Sequence, residues 1–142
     1  YEGTNGIQAM DLVARKLMDG GDAAFRLLEE IETGAEAAKA THKDLAEAVW
    51  QSAESLRETT EWLVAQKDLN NRFAGAVPYL RAFARVLGAH VHLASAVAGD
   101  GARQRLATFY IKRILPEHTG LLAHVREGAD DLMSITADDL AA

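Results

Sequence analysis

Between Asn71 and Ala98 the chain carries a helix-length segment that is apolar around most of its circumference. Phe73, Val77, Leu80, Ala84, Leu87 and Val91 line one face; Tyr79, Phe83, Val86, His90, Leu93 and Val97 line an adjacent one. Only Arg81, Arg85 and His92 leave a polar strip. A helix of this kind is stable when others surround it, so the segment predicts the centre of a bundle. Pro78 either kinks it or marks where its regular part begins, because proline has no N–H to donate.

The flanking sequence supplies the surrounding helices. Helical spacing recurs throughout, and no alternation of β-branched residues argues for strands. One helix is expected from Ile7 to Met18, stopped by Asp19-Gly20-Gly21. A second runs from Asp22, read as its N-cap, to Lys39, with Phe25, Leu28, Ile31 and Ala35 on one face. A third, capped by Thr41 with Asp44 in the capping-box position, reaches Lys67 and turns Leu45, Val49, Leu56, Thr60 and Leu63 inward. After the central segment, Gly99-Asp100-Gly101 breaks the chain. A long element then runs through Leu106, Phe109, Tyr110 and Ile114, kinks at Pro116 and continues to Met133. Thr136 caps a last turn over Ala137 to Leu140. The expected fold class is all-α: a bundle of four long helices with short helices at both ends.

Composition removes several functions. With no cysteine there is no disulfide framework, zinc-thiolate site or thiol nucleophile. A net charge of −6 argues against a nucleic-acid surface. No apolar run is long enough for a membrane span, and no secretory signal pattern is present, so the expected compartment is the cytosol. His90 and His92 point about 200° apart on a helix and cannot share a metal; His118 and His124 also diverge, and no Glu-x-x-His pair exists. No metal site is expected, and His90 reads as a core histidine. Gly-x-Ser-x-Gly and phosphate-loop patterns are absent. The strip of Arg81, Arg85 and His92 either attracts a phosphate or pairs with the acidic face of the third helix. On that helix Ala48, Ser52, Ser55 and Thr59 form a flank of small residues ending near Trp62, suited to a second helix of the bundle or to another subunit.

The opening run Tyr1-Glu2-Gly3-Thr4-Asn5-Gly6-Ile7-Gln8 carries the one constellation with chemistry in it. A carboxylate beside two glycines and a threonine, just before a helix start, can serve as a base; it can also be an acidic residue favoured by the helix macrodipole. The run closely resembles the Tyr-Glu-Gly-Thr signature of acyl-CoA dehydrogenases, and Ala9 to Leu17 is similar to that family's closing helix. The long extension beyond it, with Phe109-Tyr110 to Leu115-Pro116 and Gly128-Ala129-Asp130, resembles the C-terminal helical domain of the longer, methylmercaptopropionyl-CoA dehydrogenase-like branch. Gly6 departs from the Glu or Gln that many relatives carry there.

The resemblance implies a division at residues 1–18, the end of the catalytic region, and 19–142, the helical extension. It implies Glu2 as the base that removes the α-proton of an acyl-CoA thioester, Gly3 as the glycine close to substrate and Thr4 as a residue near FAD. It also implies an acyl-CoA substrate, an electron-transfer flavoprotein as partner and a homo-oligomer. The chain opens on Tyr rather than Met and reads as a piece of a longer flavoenzyme, inactive alone. The competing reading is a stand-alone helical interaction module.

Overall fold

The computed structural model describes residues 2–141, and side chains from residue 3 onward; Tyr1 and Ala142 lie outside the described residues. Every regular element among them is helical, as the sequence predicts. The order is α1 (Glu2–Asp11) running into a π-helical turn (Leu12–Lys16), α2 (Asp22–Ala65), α3 (Leu69–Ala74), α4 (Ala76–Ala98), α5 (Gly101–Phe109) with a second π-helical turn (Tyr110–Ile114), α6 (Glu117–Arg126), α7 (Asp130–Ser134) and α8 (Ala137–Ala141).

One expected cap moves, for a local reason. Asp22 does not cap α2; Gly21 does, with φ of 82°, a left-handed conformation open to glycine at little cost. The expected second and third helices are both present, as the two antiparallel arms of α2, and meet at His42. At His42 the backbone leaves helical geometry (φ −136°, ψ 49°), and the Thr41 hydroxyl bonds both the Ala38 carbonyl and His42 Nδ1. There the chain turns back on itself: Gly21 lies against Val64, and Arg57 of the second arm pairs with Glu32 and sits over Phe25 of the first.

The central segment is split for the opposite reason. Gly75 separates α3 from α4, and a Cβ at that position would sit 2.9 Å from Val125 Cγ1 and 3.1 Å from the Val125 backbone. The end of α6 presses on this point, so only glycine lets the two backbones meet. Pro78 falls in the first turn of α4, where its missing N–H costs nothing. At the far end the long element stops at Arg126 instead of Met133, because Gly128 (φ 73°) turns the chain and Asn71 Oδ1 accepts the Ala129 N–H at 3.0 Å. Thr136 caps α8 as expected: its N–H and hydroxyl both donate to Asp139, whose own N–H donates back to Thr136 Oγ1.

Helix α4 is the hub, packing against α1, α2, α5 and α6. The buried face is not the one with the largest side chains. Ala76, Tyr79, Ala82, Val86, Ala89 and Leu93 are sealed, whereas Val77, Val91 and Val97 are at least half exposed. Small residues let α2 and α6 approach closely, and the bulk of the core comes from Leu28, Ile31, Leu56 and Leu63 on α2 and Leu122 and Val125 on α6. The small flank of α2 is an internal contact: Ser52 and Thr59 are buried, and Ala48, Ser52 and Ser55 border Ile111, Leu115 and Pro116.

Candidate functional site

Local physics puts the Glu2-Gly3-Thr4 run inside a helix, not in a loop before one. Helix α1 already includes Glu2, so the expected start at Ile7 does not hold. The first turn of a helix has free N–H groups and the positive end of the macrodipole, both of which favour a carboxylate. The backbone of Glu2 is placed by this turn; its side chain lies outside the described residues. Gly3, Thr4 and Asn5 are exposed. A Cβ added at Gly3 or Gly6 would meet nothing within 4 Å among the described residues. Glycine inside a helix costs about 1 kcal/mol against alanine, and neither position recovers that by packing within this chain.

What fixes α1 lies one turn further on. Ala9, Val13 and Leu17 are fully or almost fully buried and share the core with α4. A residue outside the expected set, Arg72 of α3, locks this region. Its guanidinium donates to the carbonyls of Gln66 (3.0 Å), Val64 (3.1 Å) and Val13 (3.4 Å). One cation thus serves carbonyls at the C-terminus of α2 and in the π-helical turn that follows α1, where backbone acceptors are left over. Its sequence neighbourhood, Asn-Asn-Arg-Phe, gives no hint of a partner 59 residues away.

An apolar groove of about 460 Å³ opens beside this anchor, between the π-helical turn, the start of α2 and α4. Leu12, Leu17, Leu27, Leu80, Phe83 and Leu87 line it, with Lys16 as the charged group in its wall. It is the outward face of α4 that the large side chains of the central segment occupy.

The polar strip of α4 is a clamp. Arg81 and Arg85 both pair with Glu117 of α6, Arg85 through a 2.6 Å contact. The partner is therefore α6, not the acidic face of the third predicted helix. The hydrogen bond from Arg85 holds the Glu117 carboxyl below the usual carboxylate range, and Arg81 adds to the effect. His92 stacks on Tyr110 at 4.6 Å between ring centres, and Tyr110 reaches over Gly88 to the Ala84 carbonyl. His90 is half-buried and rests against Gly34, so it is a packing residue at the edge of the core.

Two further groups are perturbed. Burial pushes the Tyr79 phenol up to about 12, opposed by its 2.8 Å hydrogen bond to Thr60. Burial, then the neighbouring Glu32 charge, raises Glu54. Both belong to packed helix contacts: Glu32 is held bidentately by Arg57 at 2.8 and 2.9 Å. No group of three His, Cys, Asp or Glu gathers among the described residues, and no described helix is long and apolar enough to cross a membrane.

Residues 27–136 match the family described as acetyl-CoA dehydrogenase C-terminal like. The chain belongs to that family. The match covers the kinked α2, the hub and the long α5–α6 element, and it begins after the Tyr-Glu-Gly-Thr run. A curated relative, the 3-methylmercaptopropionyl-CoA dehydrogenase of Ruegeria pomeroyi, is 29% identical over 154 aligned residues. Those residues take in 94% of this chain and 26% of the relative, so the chain spans about a quarter of that protein's length. No solved structure matches.

Proposed function

We propose that this chain is the C-terminal part of an FAD-dependent acyl-CoA dehydrogenase, which converts an acyl-CoA thioester to the 2-enoyl-CoA. In this reading residues 1–18 close the catalytic region and residues 19–142 form a structural extension that is inactive alone. The observation that carries the reading beyond family membership is the pair of unexplained helix glycines. Gly3 and Gly6 weaken α1 and meet nothing among the described residues, so their proposed use lies in the close approach of something outside them.

Glu2 is the α-proton base in this proposal. A carboxylate on the first turn of a helix is held ionised until a ligand strips its water, and desolvation then raises its pKa toward that of a working base. Gly3 leaves room for the thioester to pass the backbone. Thr4 is exposed, with its hydroxyl available to a ligand, and is the residue assigned to FAD. Bound FAD would supply the acceptor for a hydride from the β-carbon, while Glu2 takes the α-proton. Arg72 and the Ala9–Val13–Leu17 anchor fix α1 against the bundle, so that the base keeps its place. The family resemblance adds an electron-transfer flavoprotein as acceptor and a homo-oligomeric assembly; the proposed compartment, taken from composition, is the cytoplasm.

The test is spectroscopic. The longer protein that contains this chain should purify yellow, and its flavin absorbance should bleach when an acyl-CoA is added without air. A colourless protein that binds no flavin on reconstitution overturns the reading.

A further inference from the structure

We propose that the apolar groove between the π-helical turn after α1, the start of α2 and α4 binds a small amphiphile with one anionic head, its tail along α4 and its head at Lys16. The groove exists because alanines stand where larger side chains would fill it: Ala23 and Ala24 on α2 and Ala84 on α4. Its volume of about 460 Å³ falls within the range of small-molecule sites, roughly 300–1,000 Å³. Leu80, Ala84 and Leu87 carry one wall over two turns of α4, about 10 Å of rise, which suits a tail of medium length.

The charged component is a single cation. Leu12 and Lys16 are the first and last residues of the π-helical turn. Its i→i+5 bonding brings residues four apart closer to one line than an α-helix does, so Lys16 follows Leu12 onto the groove side. Turns of this kind recur at functional sites. Among the described residues Lys16 is in no ion pair. The two acids nearest to it in sequence are engaged elsewhere, Asp11 with Arg15 and Asp19 with the Gly21 N–H, and Asp22 is not part of the wall. A lone cation beside an apolar wall recognises an anion whose other end is apolar; a carboxylate with a saturated tail has that chemistry, and the matching ammonium does not.

The two flanks of α1 show why a soluble ligand is the occupant. Asn5 and Gln8, both exposed, fall on the same flank as Leu12 at helical spacing, so the groove opens on a polar, solvated side. Gly3, Ile7 and Met10 fall on the opposite flank, with Ile7 66% and Met10 46% exposed. The rest of a longer protein therefore has an apolar surface of α1 to pack on that turns away from the groove. This inference rests on the bundle's own side chains and holds whether or not Glu2 is a catalytic base.

The test is isothermal titration calorimetry of octanoate and octylammonium, equal in tail and opposite in charge, into the 142-residue chain and two variants. Octanoate should bind at a single site with a Kd of about 10⁻⁴ M, set by burial of its methylenes. Octylammonium should bind about 10-fold more weakly, although the net charge of −6 by itself attracts a cation. Lys16→Glu should reverse that preference. Ala84→Trp, which fills the groove from an exposed position, should weaken both ligands about 10-fold or more. Circular dichroism checks that both variants remain helical. Equal binding of the two amphiphiles, or a preference that Lys16→Glu leaves unchanged, overturns the anionic assignment. Binding untouched by Ala84→Trp lies elsewhere and overturns the site, and no binding to the helical wild type overturns the proposal as a whole. In the longer protein that contains this chain the loss on Ala84→Trp should persist; its disappearance there would give the groove to the rest of that protein and overturn the proposal as well.

Discussion

The two faces of α4 have nearly the same hydropathy and opposite fates. The face toward α2 and α6 carries Ala76, Ala82, Ala89 and Ala96 between Tyr79, Val86 and Leu93, and all of it is sealed. The other carries Val77, Leu80, Phe83, Leu87 and Val91, larger on average, and is left partly open, forming one wall of the groove beside α1. Side-chain size is what differs. Alanines bring helix axes together and exclude water; the bulky residues on the far side are only partly covered by the described residues. Burial in this all-α domain therefore follows the residues that permit close approach, and an apolar stripe by itself says only that something could cover it.

Substitutions two residues apart on α4 set the two faces against each other. Leu93→Ala removes a sealed side chain and should cost about 2–5 kcal/mol in urea unfolding. Val91→Ala, at a position 58% exposed, should stay within about 0.5 kcal/mol. Equal losses at the two sites would mean that the open face is covered after all.

The anchor of α1 comes next in size. Arg72→Ala strips a guanidinium from three carbonyls and should cost about 1.5–3 kcal/mol. Hydrogen exchange should report the loss first in residues 9–17, where the π-helical turn is held by α3. Uniform loss of protection across the bundle, with no excess there, would show that Arg72 does not single out α1.

On the sealed face, Tyr79→Phe removes one hydrogen bond but leaves the Thr60 hydroxyl bonded to the Leu56 carbonyl at 2.7 Å. A loss of about 1 kcal/mol is expected. Burial raises the folded-state pKa of this phenol to about 12, so the neutral form is favoured by the fold; that contribution is full below the unfolded value near 10 and is lost as pH rises from there through the folded value. In the wild type the Tyr79 phenolate absorbance should therefore appear later than that of an exposed tyrosine. A simultaneous rise would contradict its burial.

Glu54 should give the smallest effect. Its folded pKa is raised above the usual 4.5, first by burial and then by Glu32, so the fold binds this proton more tightly than the unfolded chain does. The wild type is relieved of that penalty as pH falls through the raised value and carries it above. Glu54→Gln should be equal to or slightly more stable than wild type at neutral pH, within about 0.5 kcal/mol because the side chain is 39% exposed, and the difference should close in acid. A clear destabilisation at neutral pH would mean that its 3.7 Å contact with Arg57 outweighs both burial and the Glu32 charge.

Most of the bundle was legible in local pattern. The spacing of Leu28, Ile31 and Ala35 and of Val49, Leu56 and Leu63 finds the core side of α2 with no tertiary information. Thr136 and Asp139 announce their turn by composition. What sequence missed is set by partners far along the chain. Gly75 breaks the central segment because Val125 arrives there, Arg72 finds Val13, and Arg85 finds Glu117 instead of a neighbour on α2. The candidate site divides the same way. Its residue types stand out at once, whereas their placement inside the first turn of α1 depends on a helix that extends five residues earlier than its apolar spacing suggests.

Whether Glu2 is the base of an acyl-CoA dehydrogenase is decided by Glu2→Gln in the longer protein, read by acyl-CoA-dependent dye reduction beside wild type. Removing a positioned base should lower the rate by about 10²–10⁴-fold with flavin content unchanged. Turnover equal to wild type would contradict the assignment.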